Sequence, residues 1–210
     1  MSAVVLAGFA GAGSAASAAT PRSGGLTATP AATTPAPATP AAPAPGAVAI
    51  PDGMRTTNGI RAKRYKGTTT DGRTAYFARV PLQAPAPVQA AIVAANKIVG
   101  KPYKWGGGHA RVEDSGYDCS GTVSYALIAA KLLDAPLSSY EFDGNWKAGL
   151  AGEGQWISVY GNSGHAYAVI AGLRLDTSTA KDPSGIRGPQ WRPDNRTDAT
   201  DFVATHPAGL

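Results

Sequence analysis

Cysteine is almost absent from this chain: among 210 residues only Cys119 carries a thiol. An internal disulfide is therefore excluded, and the thiol serves either as a small buried hydrophobe or as a reactive group. Paired-cysteine clusters and the His-Glu-x-x-His run are also missing, which argues against a zinc hydrolase and against a metal requirement. Histidine occurs three times, as His109, His165 and His206. Long apolar runs are lacking too. Val4 to Ala19 is uncharged, but it is short and weakly hydrophobic for a membrane span, so no stable span is expected. Acidic residues are scarce in one region. Between Pro51 and Arg111 only Asp52 and Asp71 are acidic, against Arg55, Arg61, Lys63, Arg64, Lys66, Arg73, Arg79, Lys97, Lys101 and Lys104.

What is present divides the chain into four parts. Residues 1–19 are rich in Ala, Gly, Val, Leu and Ser, with small residues at Ala16 and Ala18 suited to cleavage. They read as a signal peptide truncated of its basic front end, and so as export. Residues 20–50 are Pro/Ala/Thr-rich and lack the apolar surface to offset ordering entropy, so a disordered, extended spacer is expected. Residues 51–85 form a basic lead-in hairpin, and residues 86–210 the main domain. The net charge is +5 and lies in the front of the folded part. That asymmetry suits a polyanionic partner. Nucleic acid is one candidate, but an anionic cell-wall polymer or membrane surface fits an exported protein better.

Within the folded part, Gly59 to Lys66 and Thr74 to Val80 read as strands joined by a Thr70-Asp71-Gly72 turn. Val88 to Val99 has helical spacing, opened by Pro85 and Pro87 and ended by Gly100 and Pro102. A glycine-rich loop follows, then an insertion up to Tyr117. A helix is expected from Cys119 to about Leu133, with Val123, Leu127, Ala130 and Leu133 on its buried face. Trp156 to Tyr160, His165 to Ile170 and Leu173 to Thr177 read as strands, and Ser178 to Leu210 mostly as loop. Gly188-Pro189-Gln190-Trp191 is a candidate flap over the site. The fold class is α+β: helices packed on a small antiparallel sheet.

The local sequence favours a reactive Cys119. Asp118 is a good N-cap, which puts Cys119 in the first turn of its helix. There unpaired backbone N–H groups and the helix dipole stabilise negative charge, and the thiolate is the nucleophile. A cysteine nucleophile needs a base. His206 lies beside Pro207 near the last residues, and His109 sits in a loop with no regular element to fix it. His165 opens a strand after a glycine turn and is the choice. If Ala171 and Gly172 are the turn residues, Ile170 opposes Leu173 and His165 opposes Ser178. Asp176 then lies one diagonal step from His165 on the same face. Its carboxylate can orient the imidazole, with Ser178 and a backbone carbonyl as rival orienters.

Gly100-Lys101-Pro102-Tyr103-Lys104-Trp105-Gly106-Gly107, then Asp118-Cys119-Ser120-Gly121, then Gly164-His165 opening a strand, together resemble the NlpC-type cell-wall cysteine peptidases. The likeness spans roughly Ala90 to Ser178. It implies a papain-like α+β fold and a bacterial enzyme, secreted or cell-wall associated. The implied substrates are peptidoglycan stem peptides, often cut between D-glutamate and the diamino acid, and no cofactor is implied. It makes Cys119 the nucleophile and His165 the base, with Tyr103 shaping the substrate site. Asp118 and Ser120 match residues that help recognise the free amino end of the stem peptide. Two positions depart from the pattern. Tyr167 stands where relatives carry a small residue, and Asp176 stands where they carry His, Asn or Gln. Rival functions are an amidase or acyltransferase on the same scaffold, and a wall-binding or structural module with an inactive site. Nucleic-acid binding ranks last.

Overall fold

The structure is a computed structural model that describes residues 60–144, 146, 149–193 and 196–210, and the backbone of Arg55–Thr56. The chain divides into two units, Met1–Ala41 and Ala42–Leu210, and everything described belongs to the second. The signal peptide and the spacer expected from the sequence lie outside the described residues.

β1 (Arg55–Thr56), β2 (Lys63–Thr68) and β3 (Thr74–Pro81) form a three-stranded sheet in the order β1-β3-β2. β2 and β3 are an antiparallel hairpin, and Gly72 takes the left-handed φ of +83° that its turn requires. Ala86–Ile98 forms α1, opened by Pro85 and Pro87, whose fixed φ suits a first helical turn. Asn96 of α1 is buried yet satisfied. Its Nδ2 donates to the Ala78 carbonyl at 2.8 Å, and its Oδ1 accepts from Ala78 N–H at 3.0 Å and from Trp191 Nε1 at 2.8 Å. This one side chain ties the lead-in hairpin and the C-terminal region to the helix, so residues 51–85 and 86–210 share one unit.

Cys119–Ala129 forms α2, buried on nearly every side from Cys119 to Leu127. It ends four residues before Leu133, where the sequence pattern had placed its end. Lys131 takes a φ of +59°, Leu132 N–H donates to the Leu127 carbonyl at 2.9 Å and Lys131 N–H to Ile128 at 2.9 Å. That pair of bonds is a Schellman stop, built here without glycine.

β4 (Gly149–Ala151), β5 (Ile157–Gly161), β6 (Ala166–Ile170), β7 (Leu173–Asp176), β8 (Gln190–Arg192) and β9 (Val203–Pro207) form an antiparallel sheet in the order β4-β9-β5-β6-β7-β8. The molecule is therefore α+β. Val123, Ala126 and Leu127 of α2 share one core with Ala166, Ala168, Ile170, Leu173 and Leu175 of the sheet. Trp146 is buried, packs edge-on against Phe142 and donates to Thr205 Oγ1 at 2.9 Å.

The region after Ser178 is mostly loop, as the sequence suggests, but it also carries β8 and β9. Gln190, Trp191 and Arg192 are fully buried in β8, so the segment beginning at Gly188 is no flap over the site. Arg192 can lie there because its Nη1 meets the Asp182 carboxylate at 2.8 Å, which supplies the partner that a buried charge needs.

Candidate active site

Asp118 caps α2 through its side chain. Its Oδ1 accepts from Gly121 N–H at 2.7 Å, in extended backbone at the cap position. Cys119 is thereby held at the first turn, 8% exposed. The glycine-rich loop lies hard against this turn: a Cβ on Gly121 would stand 2.0 Å from the Gly107 carbonyl oxygen. The insertion up to Tyr117 folds back on the same loop. Tyr117 N–H donates to the Pro102 carbonyl at 3.1 Å, and Lys104 N–H donates to the Tyr117 carbonyl at 3.2 Å. These bonds bring Tyr103 beside the helix start. Burial raises the pKa of the Tyr103 phenol, and negative charge at Cys119 and Asp118 raises it further, so the hydroxyl keeps its proton.

The β6–β7 hairpin pairs Ile170 with Leu173, Val169 with Arg174 and Ala168 with Leu175. His165, just ahead of β6, and Asp176 share one side of this hairpin, and His165 Nε2 lies 2.9 Å from Asp176 Oδ1. Ser178 also reaches this carboxylate, but through its backbone N–H, which donates to Oδ1 at 2.8 Å. On the other carboxylate oxygen, Arg196 Nη1 stands at 3.5 Å and Arg174 Nη1 at 3.6 Å. Burial of Asp176 favours its neutral form. The hydrogen bond and charge of His165, the Ser178 N–H and Arg174 outweigh it and hold the carboxyl below its usual range.

Burial also opposes charge on His165. Hydrogen bonds to Asp176 and to Cys119, with the charges of both, reverse that effect and raise the imidazole pKa to about 9. Since Nε2 is engaged by Asp176, the nitrogen left for the sulfur is Nδ1. Tyr167, the departure noted in the sequence, helps wall in the ring. It is fully buried, stacks on Tyr160 at 4.6 Å and meets Phe202 edge-on at 5.1 Å, while Phe202 stands 6.1 Å from His165.

Asp118 and Ser120 are buried beside the sulfur-bearing residue, and their polar atoms engage the protein itself. Besides Gly121 N–H, Asp118 accepts from Gly106 N–H at 3.0 Å and from the Ser120 hydroxyl at 3.3 Å. His109 completes this cluster: no regular element fixes it, but side chains do. Its Nε2 lies 3.0 Å from Asp118 Oδ1 and 3.2 Å from Ser120 Oγ. The available signal was its spacing: nine residues before an N-cap aspartate, in a loop that must fold back on that cap. His206 lies in β9, with Nδ1 3.0 Å from the Gly152 carbonyl oxygen.

The loop after β7 borders the site. Gly188 N–H donates to the Thr177 carbonyl at 3.2 Å and closes the loop's neck. Buried Asp182 organises its interior, accepting from Ser184 N–H at 3.0 Å and pairing with Arg64 at 3.1 Å as well as with Arg192. Arg64, one of the basic front-half residues, is thus tied into the fold.

Among the described residues, no group of three or more His, Cys, Asp or Glu side chains is arranged to hold a metal ion, and no helix is long and apolar enough to cross a membrane. No family model, curated protein or solved structure matches the chain.

Proposed function

We propose that the protein is an exported thiol hydrolase of peptide amide bonds, an NlpC-type enzyme with a papain-like fold that cuts peptidoglycan stem peptides. One observation carries this reading: a helix-capping turn presents Cys119 to a histidine whose far nitrogen is held by a buried carboxylate. A structural thiol needs neither a histidine partner nor a carboxylate behind that histidine.

The chemistry follows from the groups in hand. His165 is the imidazolium at neutral pH, beside the sulfur. The Cys119 thiolate attacks the amide carbonyl and a C–S bond forms. The oxyanion is met by Cys119 N–H, one of the donors a helix start leaves unpaired, and by the Tyr103 hydroxyl. His165 gives its proton to the leaving nitrogen as the C–N bond breaks. It then takes a proton from water, which attacks the thioester, and the C–S bond breaks to release the acid. Asp176 fixes the ring and balances its charge throughout. Exposed Lys63, Lys66 and Lys97 support a second, electrostatic attraction to anionic wall polymers.

The test is to incubate the protein with purified muropeptides and identify the fragments by mass spectrometry. Release of a new amine within the stem, absent in Cys119→Ala, is the expected result. Cleavage at the glycan–peptide bond would assign the amidase instead, and wall binding without any new amine would assign an inactive binding module.

A further inference from the structure

Beside His165 lies a cavity of about 260 Å³, lined by Tyr103, His165, Thr177, Ser178, Thr179 and Arg187. No carboxylate is among these lining residues. Three carry aliphatic hydroxyls, one a phenol, and Arg187 a guanidinium. Arg64, Arg174, Arg192 and Arg196 all face carboxylates of the protein. Arg187 is exposed and has neither a hydrogen bond nor an ion pair among the described residues.

Its backbone, by contrast, is rooted. The next residue, Gly188, has a φ of +84°, and a Cβ there would stand 2.4 Å from the Lys101 carbonyl oxygen. Only glycine seats the loop so closely against the segment that carries Tyr103. With the neck closed onto Thr177 and Asp182 locked to two arginines, the loop backbone sets an unpaired guanidinium at the edge of a hydroxyl-lined hollow next to the reacting imidazole. A planar guanidinium matches a carboxylate in two parallel hydrogen bonds, and hydroxyls complete the oxygen shell.

Building on the hydrolase reading above, we infer that Arg187 and the Thr177–Thr179 hydroxyls form a carboxylate subsite, so that the preferred substrate carries a free carboxylate on a residue flanking the scissile bond. Arg187 is a specificity residue here. It touches the substrate but no reacting atom, so its loss raises KM far more than it lowers kcat.

The experiment compares two stem peptides, identical except that this carboxylate is free in one and a primary amide in the other. Hydrolysis is followed with unmodified protein, Arg187→Gln and Arg187→Lys. Binding of both peptides to Cys119→Ala, with and without Arg187→Gln, is measured by calorimetry. Unmodified protein should favour the free acid by about tenfold or more in kcat/KM, the range of one charge-assisted pair. Arg187→Gln should abolish the preference through KM, Arg187→Lys should restore part of it, and added salt should shrink it. Equal handling of both peptides, in turnover and in binding, would overturn the subsite while leaving the hydrolase standing. If neither peptide is cleaved but Cys119→Ala still binds the acid more tightly in an Arg187-dependent way, the hydrolase reading fails and the subsite stands.

Discussion

His165 Nε2 and Asp176 Oδ1 lie 2.9 Å apart across one diagonal of the β6–β7 hairpin, with the carboxylate buried and the imidazole reaching toward Cys119. This contact aims the ring and also makes its charge depend on the fold.

The raised pKa of His165 dictates the direction of a pH effect. Its value of about 9 exceeds the ordinary 6.5, so the folded state binds this proton more tightly than the unfolded chain does. The stabilisation is fully present below pH 6.5 and is lost as pH rises through 9. Denaturant titrations across this range should show stability falling with pH, and the slope should vanish in His165→Gln. The rate of amide cleavage should fall on the same alkaline limb as the imidazolium is lost.

Asp176→Ala should harm stability as well as rate. The substitution leaves Arg174 fully buried without the carboxylate beside it, while Arg196 keeps its pair with Asp198. Removing one partner of a buried charge pair costs about 3–5 kcal/mol. Thermal melting should show the loss, and turnover should persist at a low level because Cys119 and His165 remain.

Cys119→Ala should separate the two effects, sparing stability and removing turnover. The side chain is small and sits at a helix start, so melting should change little. Turnover should fall by about four orders of magnitude or more, as for a removed nucleophile. An unchanged rate of amine release would end the enzyme reading.

Gly121→Ala tests the fit of the glycine-rich loop against α2. A methyl group there would meet backbone, the Gly107 carbonyl oxygen at 2.0 Å, which no side-chain rotation relieves. Overpacking of this kind costs about 1–3 kcal/mol. A lower melting temperature should accompany slower hydrolysis, because the loop also holds Tyr103 and the Asp118 cap.

Local signals carried much of this site in the sequence. Proline before and glycine after α1 marked its limits, an aspartate ahead of α2 marked its cap, and a two-residue turn placed Asp176 beside His165 by counting. What escaped depends on partners distant along the chain. Arg192 falls in the stretch read mostly as loop, yet β8 buries it because Asp182 comes to meet it. The end of α2 escaped because Lys131 adopts a left-handed conformation that glycine usually announces. His109 escaped because its support comes from side chains, Asp118 and Ser120, rather than from a helix or strand.

The position of β9 has a consequence for assembly. It runs in the interior of the sheet, between β4 and β5, and Phe202 just before it packs on His165. Sheet closure therefore joins stretches as remote as Gly149 and Pro207. Such distant pairings are slow to form. The hydrophobic backing of the imidazole is complete only when this strand is in place, so catalytic competence rests on a pairing between segments far apart in the chain and not on the helices alone.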